Sequence, residues 1–152
     1  MPFHVQAQQP TVHIQAPDSQ GSRIVEKQTA SSVIKGYLEG WKALQQALDL
    51  NQVSKLDPDF VGVARDKLTD TIDSQNRLGI HTRYKALSHD LQIVFYSPEG
   101  LSIQLTDNVE YKQEILKKDT PLATAVVRRR YIVVLTPSET RWQIRIMQAT
   151  GD

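Results

Sequence analysis

Large apolar side chains alternate with polar ones through most of the stretch from residue 84 to residue 115. In both halves of this stretch they occupy odd-numbered positions: Leu87, Leu91, Ile93 and Phe95, then Leu101, Ile103, Leu105, Val109, Tyr111 and Ile115. Alternation with a period of two is typical of a strand with one buried face, because successive side chains point to opposite sides. Ser97-Pro98-Glu99-Gly100 separates the two halves with residues that favour a tight turn. The pattern therefore predicts a long β-hairpin with one apolar face.

Two helices are predicted before this hairpin from apolar residues spaced three and four apart. The first begins between Thr29 and Ser32, where several side chains can cap the free N–H groups. Its apolar stripe contains Val33, Ile34, Tyr37, Leu38, Trp41, Leu44 and Leu48. The second begins at Asp57-Pro58, with Asp as the cap and Pro at the first helical position, and it ends at Gly79. Its apolar positions are Phe60, Ala64, Leu68, Ile72 and Leu78.

The two ends of the chain differ in character. Residues 1–28 are rich in Gln, Pro, Ser and His and predict a flexible segment, although residues 11–14 can add a short edge strand. Residues 123–135 and 141–148 predict a second hairpin with a turn between them. The first of these strands is apolar on both faces apart from three arginines, as a central strand often is. We therefore predict a single α+β domain over residues 29–150.

Helices that precede a meander of strands define an α+β fold, in which the helices pack on one face of the sheet. Strands this long must twist and curl, so we predict a cone with a strongly curved antiparallel sheet of four strands or slightly more. This element order, with Tyr37-Leu38-Glu39-Gly40-Trp41 in the first helix, resembles the nuclear-transport-factor-2-like superfamily. Residues 64–114, which include Leu91-Gln92-Ile93, are most similar in character to its non-enzymatic branch of Tim44-like and inner-membrane-stability domains.

The composition narrows the range of functions. The chain has 18 Lys and Arg against 17 Asp and Glu, a net charge of +1, which predicts no nucleic-acid partner. No apolar run approaches the ~20 residues of a membrane-spanning helix, so a soluble protein is expected. Because Cys is absent, Cys-ligated metals and thiolate catalysis are excluded, and we predict neither a metal nor a cofactor. Val5-Gln6-Ala7 resembles the end of a secretory cleavage site, which leaves a secreted or periplasmic location open beside a cytoplasmic one.

Two polar residues, His89 and Asp107, interrupt the apolar face of the first hairpin. With a type I turn and a bulge in the connecting loop, Phe95 faces Ile103 and Leu91 faces Asp107. His89 then lies diagonally from Asp107, within reach of its side chain. A carboxylate beside a histidine fixes the tautomer of the imidazole and raises its basicity. The pair is therefore either an acid–base pair or two half-buried polar groups that satisfy each other.

The predicted ligand pocket adds three aromatic residues and one cation to this pair. Tyr37 and Trp41 lie on the apolar stripe of the first helix, where core packing is the alternative to ligand contact. Tyr111 belongs to the apolar face of the hairpin. Arg129 shares its strand face with Tyr131, so it points into the cone if that face is the inner one and is a sheet-surface charge otherwise.

Two functions compete on these residues. Enzymes of the resembled superfamily, such as steroid isomerases and scytalone dehydratase, use Asp or His inside the cone as acid and base, which implies a small cofactor-independent isomerase or dehydratase acting through His89 and Asp107. The lack of a nucleophile and of a metal cluster, and the similarity to the non-enzymatic branch, favour instead a non-catalytic binding or assembly module. Its partner would be a small hydrophobic molecule or a protein, with a second copy of the chain, joined through the sheet, as one option.

Overall fold

The computed structural model describes residues 9–18 and 23–150, which form two α-helices, a short 3₁₀ helix and one five-stranded sheet. In chain order the elements are β1 (Thr11–Ile14), α1 (Lys27–Leu50), the 3₁₀ helix (Val53–Leu56), α2 (Gly62–Leu78), β2 (His81–Tyr96), β3 (Ile103–Lys117), β4 (Thr120–Pro137) and β5 (Trp142–Ala149). The helices pack on one face of the curved sheet, so the predicted α+β cone is confirmed.

The sheet has the strand order β1-β2-β3-β4-β5. The last four strands are antiparallel neighbours, as predicted, whereas β1 pairs parallel to the middle of β2, with Val12 opposite His89. Residues 11–14 thus form the edge strand that the sequence left open. The flexible character of residues 1–28 as a whole and the domain boundary at residue 29 stay predictions, and Val5-Gln6-Ala7 lies outside the described residues.

Helix α1 supplies most of the helical core. Its predicted stripe is buried, apart from the half-buried Leu38, and the helix begins two residues before the predicted range. On the side that faces β5, the stripe continues through Gly36 and Gly40. A side chain at Gly36 would place its Cβ 2.7 Å from the carbonyl oxygen of Trp142, and one at Gly40 would collide with Ile144. These glycines therefore let the helix backbone approach β5 directly.

The second helix begins later than the sequence predicts. Pro58 follows a cis peptide bond and lies outside the helix, which starts at Gly62. The intervening residues run alongside β5, because the Val61 N–H donates to the carbonyl oxygen of Ile144 at 2.9 Å. This pairing competes with early helix formation. Gly79 ends the helix with φ +68°, as predicted, but Leu78 is exposed because the buried stripe ends before it.

The first hairpin has the predicted register in its centre and departs from it at two bulges. Leu91 lies opposite Asp107, whereas the bulge between Ile93 and Phe95 places Tyr96 opposite Ile103. Phe95 is therefore exposed and Tyr96 is buried in its place. A bulge moves the following side chains to the other face, since two residues then oppose one on the partner strand. A second bulge, between Ala86 and Ser88, leaves Leu87 only half-buried, and Leu101 is exposed because it precedes β3.

Strand β4 is central only in its second half. Strand β5 pairs with Tyr131–Pro137, and no strand among the described residues covers the other edge of residues 120–130. Leu122 and Val126 are consequently exposed, which corrects the prediction of a central strand along its whole length. The free edge is where the predicted homodimer through the sheet would form, and that dimer stays a prediction. Within residues 9–18 and 23–150, no helix is long and apolar enough to cross a membrane.

Candidate functional site

Asp107 lies at the centre of a buried polar cluster on the inner face of β3. Its side chain is fully buried, and its Oδ2 atom accepts hydrogen bonds from the Tyr37 hydroxyl at 2.6 Å and from His89 Nδ1 at 2.7 Å. Its Oδ1 atom accepts a bond from the backbone N–H of Asp90 at 3.2 Å. Three donors thus converge on one carboxylate, and the predicted contact between His89 and Asp107 is confirmed.

Helix α1 supplies the two aromatic members of this cluster, one turn apart. The Trp41 indole N–H donates to the Tyr37 oxygen at 2.8 Å, so the single hydroxyl hydrogen of Tyr37 is committed to Asp107. Burial, and next the nearby charge of Asp107, raise the pKa of Tyr37 well above its usual value, which keeps this hydroxyl a donor. We call Asp107, His89, Tyr37 and Trp41 the aspartate cluster.

The His89 ring packs against two aromatic rings of α1. It makes edge-to-face contacts with Trp41 (ring centroids 5.3 Å apart) and with Tyr37 (6.1 Å), and the residue is only 2% exposed. Because Asp107 accepts, we assign the Nδ1 hydrogen to the bond between them. No group among the described residues bonds Nε2, yet none of their buried side-chain nitrogens or oxygens lacks a partner. Nε2 must therefore reach an accessible surface.

That surface is an open groove of about 1040 Å³ between α1 and the edge formed by β1 and β2. Its floor contains the apolar side chains of Val12, Ile34, Leu38, Trp41 and Ala86, together with His89. Its rim carries exposed charged residues, Lys27, Lys35, Lys42 and Lys85, and the partly exposed Glu39. A concave, mostly apolar site with few convergent polar groups is the usual form of a small-molecule site. We call this site the groove.

The structure brings only two of the predicted pocket residues, Trp41 and His89, to the groove wall. Tyr37 and Asp107 lie behind His89 and are fully buried. Tyr111 lines a smaller cavity of about 190 Å³ on the far side of Trp41, which is also enclosed by Tyr84, Tyr131 and residues of α2. The predicted pocket is therefore divided into two by the Trp41 side chain.

Arg129 lies on the exposed half of β4, opposite Val109 of β3. It shares a face with Tyr131, and its charge acts on Tyr131 and Tyr84 by lowering their pKa values against the stronger upward effect of burial. Arg128 and Arg130 are also exposed, and Arg128 pairs with Glu110 at 2.6 Å. All three arginines border one hollow beside Asn108 and Glu110, although alternate side chains of a strand point to opposite faces.

A second histidine–aspartate contact, missed by sequence reasoning, lies where β2 begins. His81 Nδ1 is 2.7 Å from Asp49 Oδ1, at the end of α1, and its Nε2 is 2.7 Å from the carbonyl oxygen of Lys118. Arg83 joins the same group through Asp49 at 3.5 Å. His81 is half-buried, because the end of α1, the start of β2 and the turn after β3 meet here. No periodic pattern links these residues, so the sequence carried no signal for the contact.

The groove also uses residues that the sequence did not assign to a site. Val12 and Ile14 come from β1, and Ile34 and Leu38 come from the side of the α1 stripe that the sheet leaves uncovered. The sequence did contain a signal for this part of the groove, namely the width of the apolar stripe. Ile34, Leu38 and Trp41 lie to one side of the row formed by Val33, Tyr37 and Leu44, so the stripe is wider than one row of buried residues. Among the described residues, no three His, Cys, Asp or Glu side chains are grouped to hold a metal ion.

Comparisons with known proteins concern the fold alone. No protein-family model matches the chain, and no curated protein matches it in sequence. Several solved structures are similar in fold. One of them, the intermembrane space region of the chloroplast protein ARC6, has a TM-score of 0.67 at 16% identity, over 86% of this chain and 100% of that one. The two chains thus share this α+β fold.

Two further structures share this fold. A protein named "Putative Scytalone Dehydratase" from Novosphingobium aromaticivorans has a TM-score of 0.55 at 12% identity, over 83% of this chain and 89% of that one. The Kfla4162 protein from Kribbella flavida has a TM-score of 0.51 at 12% identity, over 80% and 91% of the two chains. Since one fold can host unrelated functions, the comparisons leave the function to the residues of the site.

Proposed function

We propose that this protein is a non-catalytic binding module that takes a small apolar molecule in the groove. The observation that carries the proposal is an open groove of about 1040 Å³ whose apolar floor contains one nearly buried polar side chain, His89. Such a site buries most of an apolar ligand and fixes its orientation through a single hydrogen bond. The exposed lysines of the rim stay in contact with water.

The arrangement of Asp107 favours binding over catalysis. All three of its contacts use it as an acceptor, and its carboxylate is screened from the groove by the His89 ring. The other titratable side chains of the groove are the lysines and Glu39 of the rim and the half-buried Tyr84, a weak acid whose pKa is raised chiefly by burial. A single base without a matching acid is a weaker basis for isomerisation or dehydration than the paired groups that such reactions use.

The test uses an uncharged fluorescent probe, N-phenyl-1-naphthylamine, titrated into the wild-type protein. We expect saturable binding that is lost in Leu38→Trp, because a larger side chain in the middle of the groove floor fills the space. Leu50→Trp is the matched control, since Leu50 is exposed at the end of α1, away from the groove, and should bind the probe like the wild type. Equal binding by all three proteins, or no binding by the wild type, would contradict the proposal.

A second candidate is a cofactor-independent enzyme, favoured by the 2.7 Å contact between His89 and Asp107 and by the access of Nε2 to the groove. In such an enzyme, Nε2 would take a proton from a carbon atom next to a carbonyl group. The electron pair of that C–H bond would pass into an enolate, while Asp107 stabilised the imidazolium. The fold of the Novosphingobium aromaticivorans protein adds support by analogy only.

This candidate is tested with 2-tetralone, an apolar ketone with exchangeable protons, in deuterated buffer. If His89 is a general base, the wild-type protein should incorporate deuterium about 100-fold or more faster than His89→Phe. NMR measures the rate of incorporation in both proteins. Equal rates for the two proteins would remove the enzyme and leave the binding module.

The location outside the cytoplasm belongs to the same proposal. It is supported by the cleavage-like Val5-Gln6-Ala7 and by the intermembrane space origin of the ARC6 region. Fractionation of cells that express the natural gene with a C-terminal tag should recover the protein outside the cytoplasm. Recovery with a cytoplasmic marker would contradict this part without affecting the groove.

A further inference from the structure

Of the aspartate cluster, only Trp41 and His89 line the groove, and Nε2 is the ring nitrogen of His89 that Asp107 leaves unbonded. We propose that the ligand carries a hydroxyl group on its apolar body and that this hydroxyl forms a hydrogen bond with Nε2. The inference rests on the proposed function, because it specifies the chemistry of a molecule bound in the groove. It depends on how the aspartate cluster fixes the imidazole.

The His89 ring has one orientation available to it. Turning it over would exchange the bond from Nδ1 to Asp107 for a C–H group and leave the carboxylate with one donor fewer. Tyr37 cannot compensate, because its only hydrogen already goes to Asp107 and its oxygen accepts from Trp41. The edge-to-face contacts with Trp41 and Tyr37 also resist rotation of the ring. Nε2 is therefore held toward the groove.

The aspartate cluster disfavours an anionic group at Nε2. One imidazole ring separates this nitrogen from the Asp107 carboxylate, so a ligand carboxylate would be a second negative charge in the same enclosed region. An ammonium group would lose its hydration among Val12, Leu38 and Trp41 without a carboxylate in the groove floor to replace it. A neutral polar group avoids both costs.

Among neutral groups, a hydroxyl matches Nε2 in either state of the ring. It donates to the lone pair of the neutral imidazole, and it accepts from the N–H of the imidazolium. An ether or ketone oxygen can only accept, so it meets one of the two states. The structure thus favours alcohols and phenols over their methylated or oxidised counterparts.

Matched naphthalene compounds test this inference by isothermal titration calorimetry. The wild-type protein should bind 2-naphthol about three- to tenfold more tightly than 2-methoxynaphthalene, the effect of one net hydrogen bond. It should bind 2-naphthoate no better than the ether. In His89→Phe, which keeps a ring against Trp41, the preference for the phenol should vanish while the ether still binds.

A second measurement keeps the test decisive if His89→Phe fails to fold. In wild-type protein with ¹⁵N-labelled histidine, 2-naphthol should shift the Nε2 resonance of His89 while the Nδ1 resonance moves less, and 2-methoxynaphthalene should leave Nε2 nearer its free position. Equal affinities for phenol and ether, or tighter binding of 2-naphthoate, would overturn the inference and leave the binding module intact. Failure of the wild type to bind any of these compounds or the naphthylamine probe would instead overturn the proposed function.

Discussion

The protein contains two histidine–aspartate contacts of the same length with different surroundings. His89 and Asp107 meet at 2.7 Å in the middle of the cone, where both side chains are almost completely buried. His81 and Asp49 also meet at 2.7 Å, but at the end of the sheet, where their side chains are 19% and 32% exposed. The distance between the atoms therefore does not distinguish the two contacts.

The second ring nitrogen distinguishes them. In His81, Nε2 is bonded to the carbonyl oxygen of Lys118, so both nitrogens face acceptors and the ring is suited to carry a positive charge. In His89, only Nδ1 faces an acceptor, and Nε2 reaches the groove. The first contact joins a helix end to a turn, whereas the second presents a ring nitrogen to a ligand. The role of each histidine therefore depends on what its second ring nitrogen contacts, the one that the aspartate does not bond.

The largest expected difference between the contacts concerns removal of the acid. Asp107→Ala leaves three buried donors without an acceptor and should lower the free energy of unfolding by about 3 to 5 kcal/mol. Asp49→Ala, at the partly exposed contact, should cost about 1 kcal/mol or less. Urea unfolding at neutral pH measures both values. Similar losses in the two variants would show that burial does not separate the contacts as we describe.

Double-mutant cycles sharpen the comparison by isolating each pair. The cycle of His89→Ala with Asp107→Ala should give a coupling energy of about 2 kcal/mol, within the range of directly contacting buried residues. The cycle of His81→Ala with Asp49→Ala should give well under about 1 kcal/mol, because water screens the pair. A larger coupling at the exposed pair would reverse the ranking and contradict the role of burial.

The smallest expected effect concerns pH and belongs to His81. The carbonyl oxygen of Lys118, and next Asp49, raise its pKa in the folded protein despite partial burial. A raised pKa means that the folded state binds the proton more tightly, so this stabilisation is fully present below about pH 6.5, the value of the unfolded chain. It is lost as the pH rises through the folded value.

Melting temperatures of the wild type and His81→Gln between pH 5.5 and 8.5 measure this stabilisation. The wild type should be the more stable protein at the acid end, and the difference should shrink as the pH rises. A difference that grew with pH would show that His81 is held neutral rather than charged.

Sequence reasoning predicted what depends on regular periodicity. The α1 stripe, the hairpin centre and the contact between His89 and Asp107 follow from periods of 3.6 and two. The ends of the hairpin were predicted less well, because two bulges shift the alternation of buried and exposed residues. The bulge between Ile93 and Phe95 buries Tyr96 instead of Phe95. Bulges depend on how strands curve over the helices, which no short pattern records.

The candidate site was predicted less completely. Its position depends on which side of the apolar stripe of α1 is covered by the sheet, and the sequence pattern does not specify that side. Trp41 and His89 were assigned to a pocket, but Tyr37 and Asp107 lie behind its wall, and Tyr111 lies in another cavity. One side of the groove is formed by β1, a strand of four residues. It pairs with residues of β2 that lie far from it in the sequence. Such long-range pairing is set by packing rather than by local propensity.

The glycines on the β5 side of α1 have a consequence for the opposite side of the helix. Gly36 and Gly40 allow the helix backbone to touch β5, while the groove lies on the other side of the same helix, beside β1. A methyl group at either glycine would meet Trp142 or Ile144, so we expect it to shift the helix relative to the sheet without altering any residue that lines the groove floor. The dimensions of the ligand site can therefore be changed by a substitution on the opposite side of α1.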